Sequence, residues 1–182
     1  MTLGLLVASA VASTAMVWGL SLDAVYAFSP PAAAELGDLR SVRPDALSAN
    51  TYAHGEGMLG AGGAIRFERS LENDSFRVAP VAGRNDVWVE LRVPAGVDPE
   101  RYVPPSSFTG RLVRFASAGL RHRGLAQSVT ALTGQRVPDG AWLLVDGETP
   151  PVARWAVVLA ILFATFAAWN AVAIVRLVRR VK

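Results

Sequence analysis

Two histidines and one carboxylate carry the pattern closest to metal chemistry. His54 and Glu56 stand two apart, so on a strand their side chains share a face. His122 completes a set of three nitrogen and oxygen ligands of the kind a catalytic zinc takes. By spacing alone the histidines read as two surface residues, with the zinc site as the alternative. The run Gly55-Glu56-Gly57-Met58-Leu59-Gly60 matches G-x-G-x-x-G. Pyrophosphate binding by that motif requires a strand before it and a helix after it, with the helix N-terminus holding the phosphates. Ala61-Gly62-Gly63 follows instead, a poor helix start, so a bent strand and a turn are expected. Ser106, Ser107 and Ser117 have no nucleophile elbow around them and read as turn and cap residues. Arg121 and Arg123, with Arg111, place positive charge near an expected helix start, where an anion or lipid head group can sit. Such a short run otherwise reads as a solvated face. No catalytic set converges, and no cofactor is expected.

These residues lie in a central stretch that reads as β. Val87 to Val93 is the clearest strand, with Val87, Val89, Leu91 and Val93 alternating against Trp88, Glu90 and Arg92. Thr51 to Leu59, Ala64 to Arg69, Phe76 to Val81, Phe108 to Phe115 and Ala141 to Val145 give the other strand signals. Pro94, Pro99, Pro104 and Pro105 exclude a regular ladder between two of them. Leu120 to Leu132 fits one helix, with Leu125, Val129 and Leu132 on one face and Gly134 ending it. Five or six strands and one helix point to a small mainly-β domain over residues 51–150. An OB-like barrel is the expectation, with an SH3-like barrel or an open sheet behind it. The Pro- and Ala-rich residues 28–50 read as a linker.

Two uncharged stretches bracket that domain. Leu3 to Leu22 and Trp155 to Val175 are 20 and 21 residues long, enough for a helix to cross a hydrocarbon core of about 30 Å. The chain of 182 residues is 52% hydrophobic and only 18% charged, against about 25% charge in a soluble domain. Residues 1–27 are expected to be an uncleaved anchor, because no Lys or Arg forms a signal-peptide n-region and the apolar run exceeds the usual length. Residues 151–176 form the second span and 177–182 a basic tail.

Charge sets the orientation. Arg176, Arg179, Arg180 and Lys182 follow the second span, which places that end in the cytoplasm by the positive-inside rule. Asp23 and Arg154 then mark the outer boundary. Between Phe28 and Pro151 the chain carries 14 acidic and 13 basic residues, interleaved, which excludes the basic face of a nucleic-acid binder. Cysteine is absent, which removes disulfides, thiolate nucleophiles and Cys-based metal sites. The single lysine among 18 basic residues suggests a GC-rich, bacterial genome. The fold class is thus a membrane-anchored α+β chain with its β domain in the periplasm.

The layout of span, β domain and span resembles the Surf-type cytochrome oxidase assembly factors and, in outline, the mitochondrial two-span ubiquitin ligases. The ligases end in a Cys-rich RING, which a chain without cysteine does not form, and neither span carries a histidine for haem. The resemblance covers topology alone and implies no functional residue.

Within the membrane, Gly4, Ala8 and Ala12 form a four-spaced small ladder, as do Ala156, Ala160, Ala164 and Ala168. Small residues let membrane helices approach closely. Asn170 lies six residues before Arg176, about 9 Å into the core. On an antiparallel first span that depth corresponds to Ala8 and Ser9, so Asn170 is expected to hydrogen-bond Ser9 or a nearby carbonyl, or else a partner subunit. The function expected is that of a non-enzymatic accessory, assembly or scaffold subunit in contact with membrane lipids and other membrane-protein subunits. A periplasmic metal-handling or enzymatic domain, or a ligand-binding module, is the alternative.

Overall fold

The computed structural model describes residues 2–69, 74–97, 102–119 and 122–181. Its element order is α1 (Thr2–Tyr26), β1 (Ala34–Asp38), β2 (Thr51–Glu56), β3 (Ile65–Glu68), β4 (Ser75–Pro80), β5 (Val87–Val93), β6 (Ser107–Arg114), α2 (Leu125–Thr133), β7 (Trp142–Asp146) and α3 (Arg154–Val181). The chain divides into two units: residues 29–149 around the sheet, and a helical unit of residues 1–28 and 150–182.

The seven strands form one sheet in the order β1-β2-β6-β7-β5-β4-β3. The pairs β1/β2 and β5/β7 are parallel and the others antiparallel. This corrects the expectation of an OB-like barrel. Closure would need β1 to pair with β3, and these are the two opposite edges of an open sheet. The cause is long-range. β5 and β6, joined by the proline-rich segment, do not pair with each other; β7 returns after α2 and enters between them. A second difference concerns residues 28–50. Ala34–Asp38, within the stretch read as a linker, adds an edge strand parallel to β2.

Both faces of the central strands are covered. On one face Val87, Val89 and Leu91 of β5 pack with Leu144, Phe108, Leu112 and the loop residues Leu39 and Leu47. On the other, Trp88 packs with Leu143, Val113, Phe115 and the α2 residues Leu125 and Val129. Alternation along β5 therefore separates two cores rather than core from solvent, and Trp88 and Glu90 are buried with the rest.

α2 starts five residues later than the periodicity predicts. Gly124 precedes it in the left-handed region, at φ 83°, which the helix cannot continue backward through. Gly134 ends it, donating its N–H to the Thr130 carbonyl at 2.9 Å. Leu125 and Val129 are buried while Leu132 is exposed, so the first two turns seat the helix. One glycine in β6 is required by space: a Cβ on Gly110 would fall 1.8 Å from the Val145 carbonyl oxygen.

In the helical unit, α1 and α3 pack as an antiparallel pair, with the C-terminal end of α1 against the 3-10 turn Pro150–Ala153 that precedes α3. Both helices are long and apolar enough to cross a membrane. Only 11% and 6% of their most apolar windows are buried within the protein, unlike the core helix of a soluble fold.

Candidate functional site

The helix pair is held along a seam with alternating spacing. Leu6, Ala10, Ser13, Val17 and Leu20 of α1 are buried or half-buried, at intervals of four, three, four and three. Ala156, Ala160, Phe163, Ala167 and Asn170 of α3 follow the same rule. This is a 3.5-residue repeat, which keeps one stripe facing its partner. A strict four-residue ladder turns 40° further per step on a helix of 3.6 residues per turn. That drift corrects part of the packing expectation: Ala160 lies on the seam, but Gly4, Ala8, Ala12, Ala164 and Ala168 are exposed.

The polar contact of the seam is the one the depth matching predicts. Asn170, 3% exposed, donates from Nδ2 to Ser9 Oγ at 3.1 Å and to the Phe166 carbonyl at 2.9 Å. Both amide protons are thereby used. Ser13, also buried, donates from Oγ to the Ser9 carbonyl at 2.8 Å. At the ends of the unit, Asp23 is half-buried, Arg154 opens α3, and Arg154, Arg176 and Arg179 are exposed. The side chain of Arg180, and Lys182, lie outside the described residues.

The sheet unit holds a second buried polar group, on the α2 side of β5. Glu90, 2% exposed, receives the Arg69 guanidinium on Oε1 at 2.6 Å and faces His122 Nε2 with Oε2 at 2.8 Å. His122 Nδ1 lies 2.8 Å from the Ala118 carbonyl oxygen. The Arg69 guanidinium sits 3.9 Å over the Phe76 ring and 5.4 Å over Phe67, and those rings stack at 5.6 Å. Burial pushes the Glu90 carboxyl up, but the hydrogen bond and charge of His122, with Arg69, outweigh it and hold the group below its ordinary value. Three separate segments meet here: the residue after β3, the middle of β5, and the residue two before Gly124.

This geometry divides the proposed zinc ligands. His54 Nδ1 lies 2.6 Å from Thr109 Oγ1, its partner across β2 and β6. His122 is committed to Glu90 and Ala118. Glu56 is exposed at the end of β2. Among the described residues no group of three potential ligands could hold a metal ion. The G-x-G-x-x-G run lies on the end of β2 and the loop after it, and the next element is strand β3, not a helix. Its Gly55 is there for packing, since a Cβ would fall 2.5 Å from the Leu39 side chain.

The arginine group separates as well. Arg111 is buried, donating from Nε to Asn50 Oδ1 at 2.8 Å and pairing through Nη1 with Glu148 at 3.1 Å. Arg123 is exposed, and Arg121 lies outside the described residues. Elsewhere Arg84 grips Asp86 with two hydrogen bonds, at 2.8 and 2.6 Å, and also donates to the Leu39 and Val42 carbonyls. Its grip holds the Asp86 carboxyl below the usual range against the effect of burial. Burial pushes the Asp146 carboxyl up, although it accepts a hydrogen bond from the Thr109 backbone N–H.

The sequence reading missed Arg69 and Glu90. The available signal was Glu90 itself, a carboxylate sharing a strand face with Trp88 in the most apolar strand of the domain. Comparison with known proteins finds no matching family model, no matching curated protein and no matching solved structure.

Proposed function

We propose that the chain is a non-enzymatic two-span protein of a bacterial inner membrane, acting as an accessory, assembly or scaffold subunit of a larger membrane complex. The observation that carries this reading is the α1–α3 pair. Its polar groups Ser9, Ser13 and Asn170 face inward and bond one another, while Leu5, Val11, Trp18, Ile161, Phe166 and Trp169 face outward. An apolar exterior, with the few polar groups turned into the seam, suits lipid surroundings. Arg176 and Arg179, exposed near the C-terminal end of α3, support a cytoplasmic position for that end by the positive-inside rule, and with it a periplasmic sheet unit.

The subunit role rests on two further features. The buried charges of the sheet unit are spent on one another, as in Arg69–Glu90–His122 and Arg111–Glu148, which is structural use. Gly4, Ala8 and Ala12 lie on the outside of the helix pair, where small residues admit the close approach of another subunit's helix. The test is purification of the full chain in a mild detergent, followed by native mass spectrometry. Co-purifying membrane subunits in fixed stoichiometry, lost in a Gly4→Leu, Ala8→Leu, Ala12→Leu variant, are expected. A chain that always purifies alone overturns the subunit role. Reporter fusions after Met58 and at Lys182 read the orientation separately, and a cytoplasmic signal from the first overturns the periplasmic placement.

A further inference from the structure

We infer that the C-terminal end of α3 is a binding site for one anionic phospholipid, with Arg176 and Arg179 on its phosphate and Trp169 and Val172 along its acyl chains. The site rests on the reading of α1 and α3 as membrane spans and adds to it the class of lipid and the residues that hold it. The arginines enclosed in the sheet unit each have a carboxylate: Glu90 for Arg69, Asp86 for Arg84 and Glu148 for Arg111. Residues 1–28 and 150–182 contain a single acidic residue, Asp23. It lies near the C-terminal end of α1, which packs against the turn before α3, and so at the opposite end of the pair from Arg176. Arg176 and Arg179 are exposed, and among the described residues no ion pair or side-chain hydrogen bond engages either.

Helix geometry sets what surrounds these charges. At about 100° per residue, Trp169, Val172, Arg176 and Arg179 fall within an arc of about 80°. The seam residues Phe163, Ala167 and Asn170 centre on the opposite side. The stripe therefore faces away from α1 and is open, with Trp169 74% exposed and Val172 51%. At about 1.5 Å per residue, Val172 and Trp169 lie about 6 and about 10 Å deeper than Arg176. The hydrocarbon of one leaflet is about 15 Å deep. A lipid whose phosphate meets the arginines thus lays its chains across both side chains.

The charge pattern selects the lipid. Arg176 and Arg179 stand three residues apart and are neighbours on the helix surface. Guanidinium forks match phosphate oxygens with paired N–H donors. A zwitterionic lipid brings its own ammonium group, which cancels much of that attraction, whereas an anionic lipid keeps its net negative charge. Basic clusters beside a span are drawn to anionic leaflets in general; the stripe adds a place for the chains of one molecule.

The test is native mass spectrometry of the full chain in detergent, with phosphatidylglycerol or phosphatidylcholine of identical acyl chains added. Wild type is expected to hold one phosphatidylglycerol with a preference of about 30-fold over phosphatidylcholine, the combined worth of two basic residues at an anionic headgroup. Arg176→Gln with Arg179→Gln should bring the two lipids to parity, although Arg180 and Lys182 remain. Trp169→Ala with Val172→Ala should loosen both lipids and leave the preference. Equal retention by wild type, or a preference that survives the arginine variant, overturns the site. Unchanged retention in the Trp169 variant, or a bound protein in place of the lipid, overturns it too. Should the arginine variant not fold, Arg179→Gln alone, in the last turn of α3, should lower the preference about fivefold, and an unchanged preference overturns the site. A chain that stays in solution without detergent and binds neither lipid overturns the membrane reading along with the site. A detergent-bound chain that takes both lipids equally overturns the site alone.

Discussion

Glu90→Gln is the substitution that most sharply tests the buried ionic group. Glutamine keeps the shape and one acceptor oxygen but removes the charge that the Arg69 guanidinium is paired with. The wild-type carboxylate is 2% exposed and the Arg69 side chain 15%, so water cannot replace the lost partner. Removing one member of a buried pair costs about 3–5 kcal/mol, because the other charge stays buried and uncompensated. The retained acceptor and the partly open edge of Arg69 place this case near 3 kcal/mol. The unit of residues 29–149 has roughly 120 residues. At about 2.1 cal/mol/K per residue its unfolding entropy is near 0.25 kcal/mol/K, so 3 kcal/mol lowers Tm by about 12 °C. The assay is thermal unfolding of the full chain in detergent, followed by near-UV circular dichroism. The pH dependence has a fixed sign. The Glu90 carboxyl is held below its ordinary 4.5 in the folded protein, so the unfolded chain takes up the proton first. The stabilisation is fully present above that value and is lost as pH falls through the folded one. Wild type and variant should therefore differ most near neutral pH and converge in acid. A Tm loss below about 4 °C, the scale of a solvent-exposed pair of about 1 kcal/mol, would refute the argument.

The remaining predictions concern other parts of the molecule. In a chain without cysteine, Ser9→Cys with Asn170→Cys creates the sole thiol pair, and a short bifunctional thiol reagent should link it; Gly4→Cys with Asn170→Cys should stay unlinked, because Gly4 faces outward. Gly110→Ala would set a Cβ 1.8 Å from the Val145 carbonyl oxygen, so it should force β6 and β7 apart and destabilise the sheet by about 3 kcal/mol or more, seen as a loss of Tm comparable to that of Glu90→Gln. Metal analysis of the purified protein should find no stoichiometric zinc, and His54→Ala should not change the metal content, because His54 bonds Thr109 and His122 bonds Glu90.

What the sequence made legible was whatever depends on near neighbours. Val87–Val93 is the strand its alternation predicts, end to end. The two long apolar helices follow from runs of uncharged residues, and the Asn170–Ser9 contact from depth counting along two such helices. β1 was missed because Ala-Glu-Leu-Gly-Asp has one large apolar residue, and an edge strand buries too little to need more. The barrel was expected because local pattern says that strands exist, not which ones pair. The insertion of β7 between β5 and β6 is a long-range pairing that no window of sequence contains. Glu90 and His122 were misread for a related reason. Alternation on β5 suggested one solvated face, whereas α2 covers that face and turns the apparent outward carboxylate into a buried one. The two histidines shared a type but not a neighbourhood, and strand register decides neighbourhood.

The polar contact in the helix seam acts more as a register mark than as glue. Intramembrane side-chain hydrogen bonds contribute about 0.6 kcal/mol on average, too little to hold two helices of this length together. Close packing along the alanine-rich seam supplies the adhesion, but alanines are alike, and the stripe offers several near-equivalent alignments. Sliding α1 by one heptad in one direction would place Met16 opposite Asn170, and the amide would lose the oxygen that Ser9 gives it. In the membrane setting proposed above, an amide left without that partner costs more than the bond gains when made, because the alternative to bonding is not water. A lone buried asparagine in a coiled-coil seam fixes alignment by the same asymmetry. Asn170 therefore selects one alignment of α1 and α3 from those the alanines would permit, and Ser13, bonded back to the Ser9 carbonyl, fills the seam beside it without competing for the amide.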